Sequence, residues 1–223
     1  MAKTLKVGII GVGGIARMHV PGWAASEHAE LVAASDVNST ILEDWGRQNG
    51  VARLTTDPAD LFRDPDIDII DICTPNNVHA EIAIAAARAG KHIICEKPLA
   101  RTIEEARAMT EAVREAGVIH MVAFNYRRTP AVALARRYIE EGRIGRILNF
   151  RGTYLQDWSA DPDGPLSWRF QKRIAGSGTT GDIATHVVDL AHYLVGPIAE
   201  GNSMVHTYVT TRPIQQGGVD KLG

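Results

Sequence analysis

Cysteine is nearly absent: Cys73 and Cys95 are the two in 223 residues, each inside an apolar run. That excludes a disulfide framework and zinc-type spacing, and leaves two small buried hydrophobes of a cytoplasmic protein. An excess of either charge is also lacking, with 24 Lys and Arg against 26 Asp and Glu and a net charge of −2. Nucleic acid and anionic membrane are therefore not expected as main partners. No apolar run is long enough to span a bilayer. The opening MAKTLKVGIIG runs into a glycine loop rather than a signal-peptide cleavage site. Internal repeats and low-complexity segments are missing too. What remains, 45% hydrophobic and 22% charged, is ordinary for a globular chain with room for one large or two modest domains.

Apolar runs alternate with helical segments up to Phe124. Leu5–Gly11, Leu31–Asp36, Ile67–Cys73, His92–Glu96 and Val118–Phe124 read as strands. Helices are expected over residues 15–26, 40–49, 78–89 and 103–116. Strands apolar on both faces, separated by helices, predict a parallel sheet covered on both sides. Residues 1–124 are thus expected to be a doubly wound α/β Rossmann domain.

The first strand enters GVGGIA, where Gly11, Gly13 and Ala16 match G-x-G-x-x-G/A, and Asp36 closes the next strand. Gly11 allows the tight turn, Gly13 lets the backbone approach a pyrophosphate, and Ala16 permits close helix–strand packing. Phosphates then sit at a helix N-terminus beside Gly14 and Ile15, where free N–H groups favour anions. Asp36 would take both hydroxyls of an adenosine ribose and repel a 2′-phosphate, and no arginine follows it. NAD is expected over NADP.

After Phe124 the alternation stops. A helix is expected over 130–141 and a long strand over 146–156. A Gly-, Pro- and Asp-rich loop carrying Trp158 and Trp168 follows, then a helix from Gly181 to Gly196 and a last strand around 203–211. This predicts residues 125–223 as the start of an α+β domain with a mostly antiparallel sheet. The helix GDIATHVVDLAHYLVG places Asp182, His186, Asp189 and Tyr193 on one face, beside an apolar face through Ile183, Val187, Leu190 and Leu194. An apolar, largely buried helix with an ionisable stripe needs an object for that stripe. A metal is not expected, because His192 lies off the line and no second histidine follows at i+4. Asp189 reads as a structural partner.

Taken in order, GIIGVGGIARMH, CTPNNVHAE, CEKPLA, AFNYRR, SWR and GDIATHVVDLAHYLVG resemble the Gfo/Idh/MocA family of NAD(P)-dependent oxidoreductases across nearly the whole chain. AFNYRRTPA and FRGTYLQDWSADP are most similar to its levoglucosan- and inositol-oxidising branches. The resemblance implies hydride transfer from a ring hydroxyl of a sugar, anhydrosugar or cyclic polyol to NAD, a levoglucosan-like substrate being favoured. It implies Lys97, Asp182 and His186 as catalytic residues, with His186 the usual acid/base. To the loop residues it adds Thr74, Pro75, Asn76, His79, Glu96, Lys97, Asn125, Trp168 and Arg169 as cofactor contacts. Substrate contacts are expected from Lys97, Tyr126, Arg127, Gln156, Asp157, Trp158, Asp182 and His186. Polar groups beside aromatic rings suit a sugar. His19, His28, His92, His120 and His206 are given no role.

Alcohol oxidation needs a base with a pKa near the working pH, and histidine starts near ~6.5. Lys97 starts near ~10.4; it either loses its proton beside a cofactor cation or stays charged and stabilises an alkoxide. His186 is favoured as base, Lys97 as its charge partner, with Asp182 binding a substrate hydroxyl or holding the imidazole. Full-length relatives are expected to be homo-oligomers longer than three hundred residues, so this chain reads as C-terminally truncated. Two other functions share these residues: a glycosidase of the same fold that uses NAD transiently, and a non-catalytic NAD-binding module.

Overall fold

The computed structural model describes residues 3–214. Six strands form one sheet in the order β3-β2-β1-β4-β5-β6, every pairing parallel. They are β1 (Leu5–Ile10), β2 (Ala29–Ser35), β3 (Arg53–Thr55), β4 (Ile69–Ile72), β5 (His92–Cys95) and β6 (His120–Val122). The intervening helices are α1 (Ala16–Ala24), α2 (Ser39–Asn49), α3 (Pro58–Arg63), α4 (His79–Arg88) and α5 (Ile103–Ala116). The order reverses between β1 and β4, which opens a crevice at the strands' carboxyl ends.

Period-two alternation sorts the strand residues into two cores. Ile10, Ala33, Ile72 and Cys95 join the core under α4 and α5, with Ile70, Ile93 and Met109. Their neighbours Ile9, Ala34 and Cys73 point to the other face, with Ala16, Leu42 and Trp45. Ile9, Ile70 and Ile72 are fully buried, each contributing about 1.5–3 kcal/mol of apolar transfer.

Helix starts follow local chemistry. Asn38, Asp57 and Thr102 cap α2, α3 and α5 by accepting from Ile41, Ala59 and Glu105 N–H at 3.1, 2.9 and 3.1 Å. The first helix differs: α1 has no side-chain cap and no acidic residue in its first turn. Its N–H groups stay open toward the crevice. Periodicity passes over β3 and α3, because three residues are too few to show alternation and α3 announces itself only by the Asp57-Pro58 start.

Beyond β6 come α6 (Pro130–Glu140), the one-turn α7 (Lys172–Ala175) and α8 (Thr185–Leu194). The strands expected over 146–156 and around 203–211 carry no ladder among the described residues. A strand is defined by its partner, and neither segment finds one there. The end of the α+β domain expected over 125–223, residues 215–223, lies outside the described residues. No described helix is long and apolar enough to cross a membrane.

Candidate functional site

At the crevice, Gly11 has φ +86°, and a Cβ there would lie 2.9 Å from the Cys73 carbonyl and the Thr74 nitrogen. Only glycine fits that turn. Gly11 N–H donates to Ser35 O at 2.8 Å, tying the loop to the end of β2. Asp36 then accepts from Val12 N–H and Asn38 N–H, both at 2.9 Å. The carboxylate is thereby aimed by the loop it serves, with lone pairs left for a ligand.

A cavity of about 480 Å³ runs from Asp36 past Gly11, Gly13, Gly14 and Ile15, then Thr74, Pro75 and Asn76, to Glu96, Lys97, Trp168, Arg169 and Asp182. A second, of about 330 Å³, is lined by Lys97, Tyr154, Gln156, Trp158, Arg169, Asp182, Ile183 and His186. Lys97, Arg169 and Asp182 border both, so the two cavities meet at those side chains.

The Lys97 ammonium donates to the Asp182 carboxylate at 2.7 Å and to the Asp182 carbonyl at 3.1 Å. The Lys97–Pro98 peptide bond is cis. Residues Thr180–Ala184 form a π-turn before α8, so the helix expected from Gly181 is not uniform. Thr185 Oγ1 donates to Gly181 O at 2.8 Å, a side-chain bond to the carbonyl four residues back. Such turns recur at functional sites because they re-aim backbone groups. Asp182 consequently pairs with Lys97 and is not bonded to the imidazole.

His186 is buried, its ring centroid 4.6 Å from that of Tyr126 and 5.9 Å from that of Tyr154. Burial pushes its pKa below the ordinary 6.5, and the positive charge of Lys97 pushes the same way. The imidazole is therefore kept neutral and able to accept a proton. Its Nδ1 has no partner.

Other expected contacts take different places. The Arg127 guanidinium forks onto Asp189, Nε at 2.7 Å from Oδ2 and a second bond to Oδ1. Asp189 is buried, so Arg127 is spent on neutralising it rather than lining the smaller cavity. Tyr126 is one layer back, its hydroxyl 2.6 Å from that of Tyr154. Asp157 is exposed and lines neither cavity. His79 is fully buried between the Pro98 and Thr74 carbonyls, at 3.0 and 2.9 Å; it ties two crevice loops together and lines neither cavity. Burial lowers its pKa. Asn125 also falls outside both linings. The expected burial of the last helix is reversed in part: Val188 and Val195 are exposed while His186 and Asp189 are buried.

Arg127→Met is expected to cost about 3 kcal/mol in urea unfolding, because it strands a buried carboxylate. Adding Asp189→Asn should recover much of that loss. A single-variant loss below about 0.5 kcal/mol would show that the pair is not stabilising.

Two features escape the sequence reading. Tyr154 shares an i, i+2 row with Gln156 and Trp158, and their bonds run in sequence: Trp158 Nε1 to Gln156 Oε1, and Gln156 Nε2 to Tyr154 Oη, both 2.7 Å. That spacing was the available signal. The other is His19 on α1. Its Nδ1 lies 3.0 Å from both Asp71 oxygens and its Nε2 3.0 Å from Glu96 Oε1. Trp23 Nε1 also donates to Asp71 at 2.7 Å. Both ring nitrogens face carboxylates, so both must donate, and the pKa of His19 is pushed up to about 12; burial opposes this and the bonds to Asp71, Cys73 and Glu96 drive it. The signal was Asp71 itself, a carboxylate inside the apolar strand IDIIDIC, which cannot be buried without a partner. His19, Asp71 and Cys73 come close enough to share an ion. The imidazole there is already saturated by the two carboxylates.

The large cavity suits a dinucleotide. It combines a glycine cradle, an open helix N-terminus and a positioned carboxylate, and it is bordered by Thr74 and Trp168, whose Oγ1 and Nε1 are buried without partners. Comparison with known proteins agrees. A family model described as oxidoreductase family, NAD-binding Rossmann fold, matches residues 5–124, and one described as GFO/IDH/MocA C-terminal domain matches residues 132–222. Levoglucosan dehydrogenase of Pseudarthrobacter phenanthrenivorans is 56% identical over 229 residues, covering 99% of this chain and 59% of that protein. The NAD-dependent scyllo-inositol 2-dehydrogenase of Bacillus subtilis is 34% identical, over 99% of this chain and 63% of its own. A solved levoglucosan dehydrogenase in complex with NADH and levoglucosan superposes with a TM-score of 0.92, at 56% identity, over 97% of this chain and 60% of the other. The chain thus spans about three fifths of the length of these relatives.

Proposed function

Because this chain belongs to the GFO/IDH/MocA family of NAD-binding oxidoreductases, we propose that it serves NAD-dependent oxidation of a ring hydroxyl to a ketone. The substrate is a small sugar, anhydrosugar or cyclic polyol, with a levoglucosan-like anhydrosugar favoured. The carrying observation is the junction of the two cavities at Lys97, Arg169 and Asp182. A dinucleotide filling the larger cavity would end where a sugar filling the smaller one begins.

NAD, when bound, supplies the acceptor for the hydride that leaves the carbinol carbon. The protein's residues do the rest. His186, neutral and beside the cavity, takes the hydroxyl proton. Lys97, held by Asp182, presents a cation to the oxygen as negative charge develops there. Gln156 offers hydrogen-bonding groups, and Trp158 an apolar face for the sugar C–H bonds. Asp36 and the Gly11–Ala16 loop hold the adenosine half. The division after Phe124 separates cofactor from substrate domain in this reading, and the buried thiols Cys73 and Cys95 fit a cytoplasmic setting. The whole protein is taken to be a homo-oligomer in this reading.

Calorimetric titration with NAD and NADP tests the cofactor half. Tight NAD and weak NADP binding is expected; preference for NADP, or no binding by folded protein, counts against it. Asp36→Ala should reduce the NAD-over-NADP preference about ten- to hundredfold, since it removes a charged hydrogen-bond acceptor and a repulsion together. NADH accumulating with levoglucosan or an inositol marks a dehydrogenase. A glycosidase using NAD transiently releases product without it.

A further inference from the structure

We propose that the buried cluster Asp71–His19–Glu96 holds Glu96 as an ionised carboxylate in the wall of the cofactor cavity, where it makes the site favour the oxidised, cationic dinucleotide over the reduced one. This rests on the dinucleotide reading above and adds to it a residue that discriminates between the two redox states.

Glu96 follows β5 directly, and the alternation of that strand turns it away from the core that holds Cys95. It therefore meets α1, which lies on the same side of the sheet as Ala16 and Cys73. One carboxylate oxygen, Oε1, faces His19 Nε2 at 3.0 Å, and Oε2 accepts from the Lys97 N–H at 3.0 Å. Glu96 is only 7% exposed, yet it borders the large cavity beside Lys97 and Asp182, at the end away from Asp36. That is the end where the nicotinamide would lie.

The charges there can be counted. Asp71 is fully buried and receives two donors, His19 Nδ1 and Trp23 Nε1. One imidazolium shared by two carboxylates leaves one negative charge in excess, and Glu96 is the member of the cluster that reaches the cavity. Lys97 is offset by Asp182 at 2.7 Å. Arg169, stacked over the Trp168 ring at 4.5 Å, and Arg173 are the further cations of the cavity wall, and Glu81 a further carboxylate. The nicotinamide ring is cationic in NAD+ and neutral in NADH, so a fixed carboxylate beside it acts on one form only. The low dielectric of a buried wall strengthens that difference. The raised pKa of His19 agrees with its imidazole staying charged at neutral pH.

The test compares dissociation constants for NAD+ and NADH at pH 7 in the wild-type chain and in Glu96→Gln, Glu96→Asp and Asp71→Asn. Taking the ratio of the two constants on one protein cancels any general damage to the pocket. Glu96→Gln is expected to shift the ratio at least fivefold toward NADH. Asp71→Asn, which leaves His19 to neutralise Glu96 alone, should shift it in the same direction without touching cofactor. Glu96→Asp, retaining the charge, should stay near wild type. An unchanged ratio in Glu96→Gln overturns the assignment, even if both affinities fall together, and leaves the dinucleotide reading standing. If Glu96→Gln does not fold, an unchanged ratio in Asp71→Asn overturns it instead. Failure of the folded wild-type chain to bind either form sinks both readings.

Discussion

Lys97→Met is expected to lower kcat for the proposed sugar oxidation about 10²–10³-fold, the usual effect of removing a group that stabilises charge developing on oxygen. The NAD dissociation constant should move only a few-fold. Methionine keeps most of the stem's length and its packing, so the cavity junction survives while the ammonium is lost. Asp182 loses its partner at 2.7 Å, but its side chain is 26% exposed and water can take the vacated place. Lys97→Arg should not restore the rate. Lysine is a point charge held by one carboxylate oxygen and one carbonyl, and a planar fork does not reproduce that pair of bonds. NADH formation followed by absorbance, beside a calorimetric NAD titration, separates the two quantities. A kcat within threefold of wild type would remove Lys97 from the chemistry.

The first half of the fold was legible because its physics is local. The run IDIIDIC can bury both faces only in a covered sheet, and Gly11 sits at a φ that glycine alone tolerates. The Asp36 carboxylate lies where the loop-and-strand spacing predicts, bonded to Val12 N–H. The second half depends on pairing, which periodicity does not encode. RILNFRGTYLQ alternates like a strand but carries no ladder among the described residues.

Site residues divide along the same line. Lys97, Asp182 and His186 meet at the cavities as expected, since strand end and helix spacing place them. Arg127 and His79 line neither cavity, because a sequence does not show which charged or polar group has a buried partner waiting. Arg127 is claimed by Asp189, and His79 by two carbonyls. His19 was passed over for the same reason. Its partners Asp71 and Glu96 lie 52 and 77 residues along the chain, and only the sheet order brings them together.

His186→Asn should lower kcat about 10²–10⁴-fold and also change the shape of the pH profile, which identifies the proton acceptor. The folded pKa of His186 lies below 6.5, through burial first and the Lys97 charge second. In wild type the rate should therefore rise as pH climbs through that lowered pKa and level off by about 6.5. Asparagine does not titrate, so this acid limb should vanish from the residual activity. Were Lys97 the acceptor instead, the decisive limb would be its own, set by deprotonation of the ammonium, and it would persist in His186→Asn. Linkage gives an independent check on the same group. Unfolded His186 binds its proton near ~6.5 and the folded residue resists it, so the unfolded chain carries more protons just below that pH. Its contribution to stability is thus full above ~6.5 and is lost as pH falls through the folded value. Wild type minus His186→Asn, measured by urea unfolding across that window, should shrink as pH falls. A difference that stays flat would mean that the folded imidazole titrates normally, and the case for a poised neutral base would fail with it.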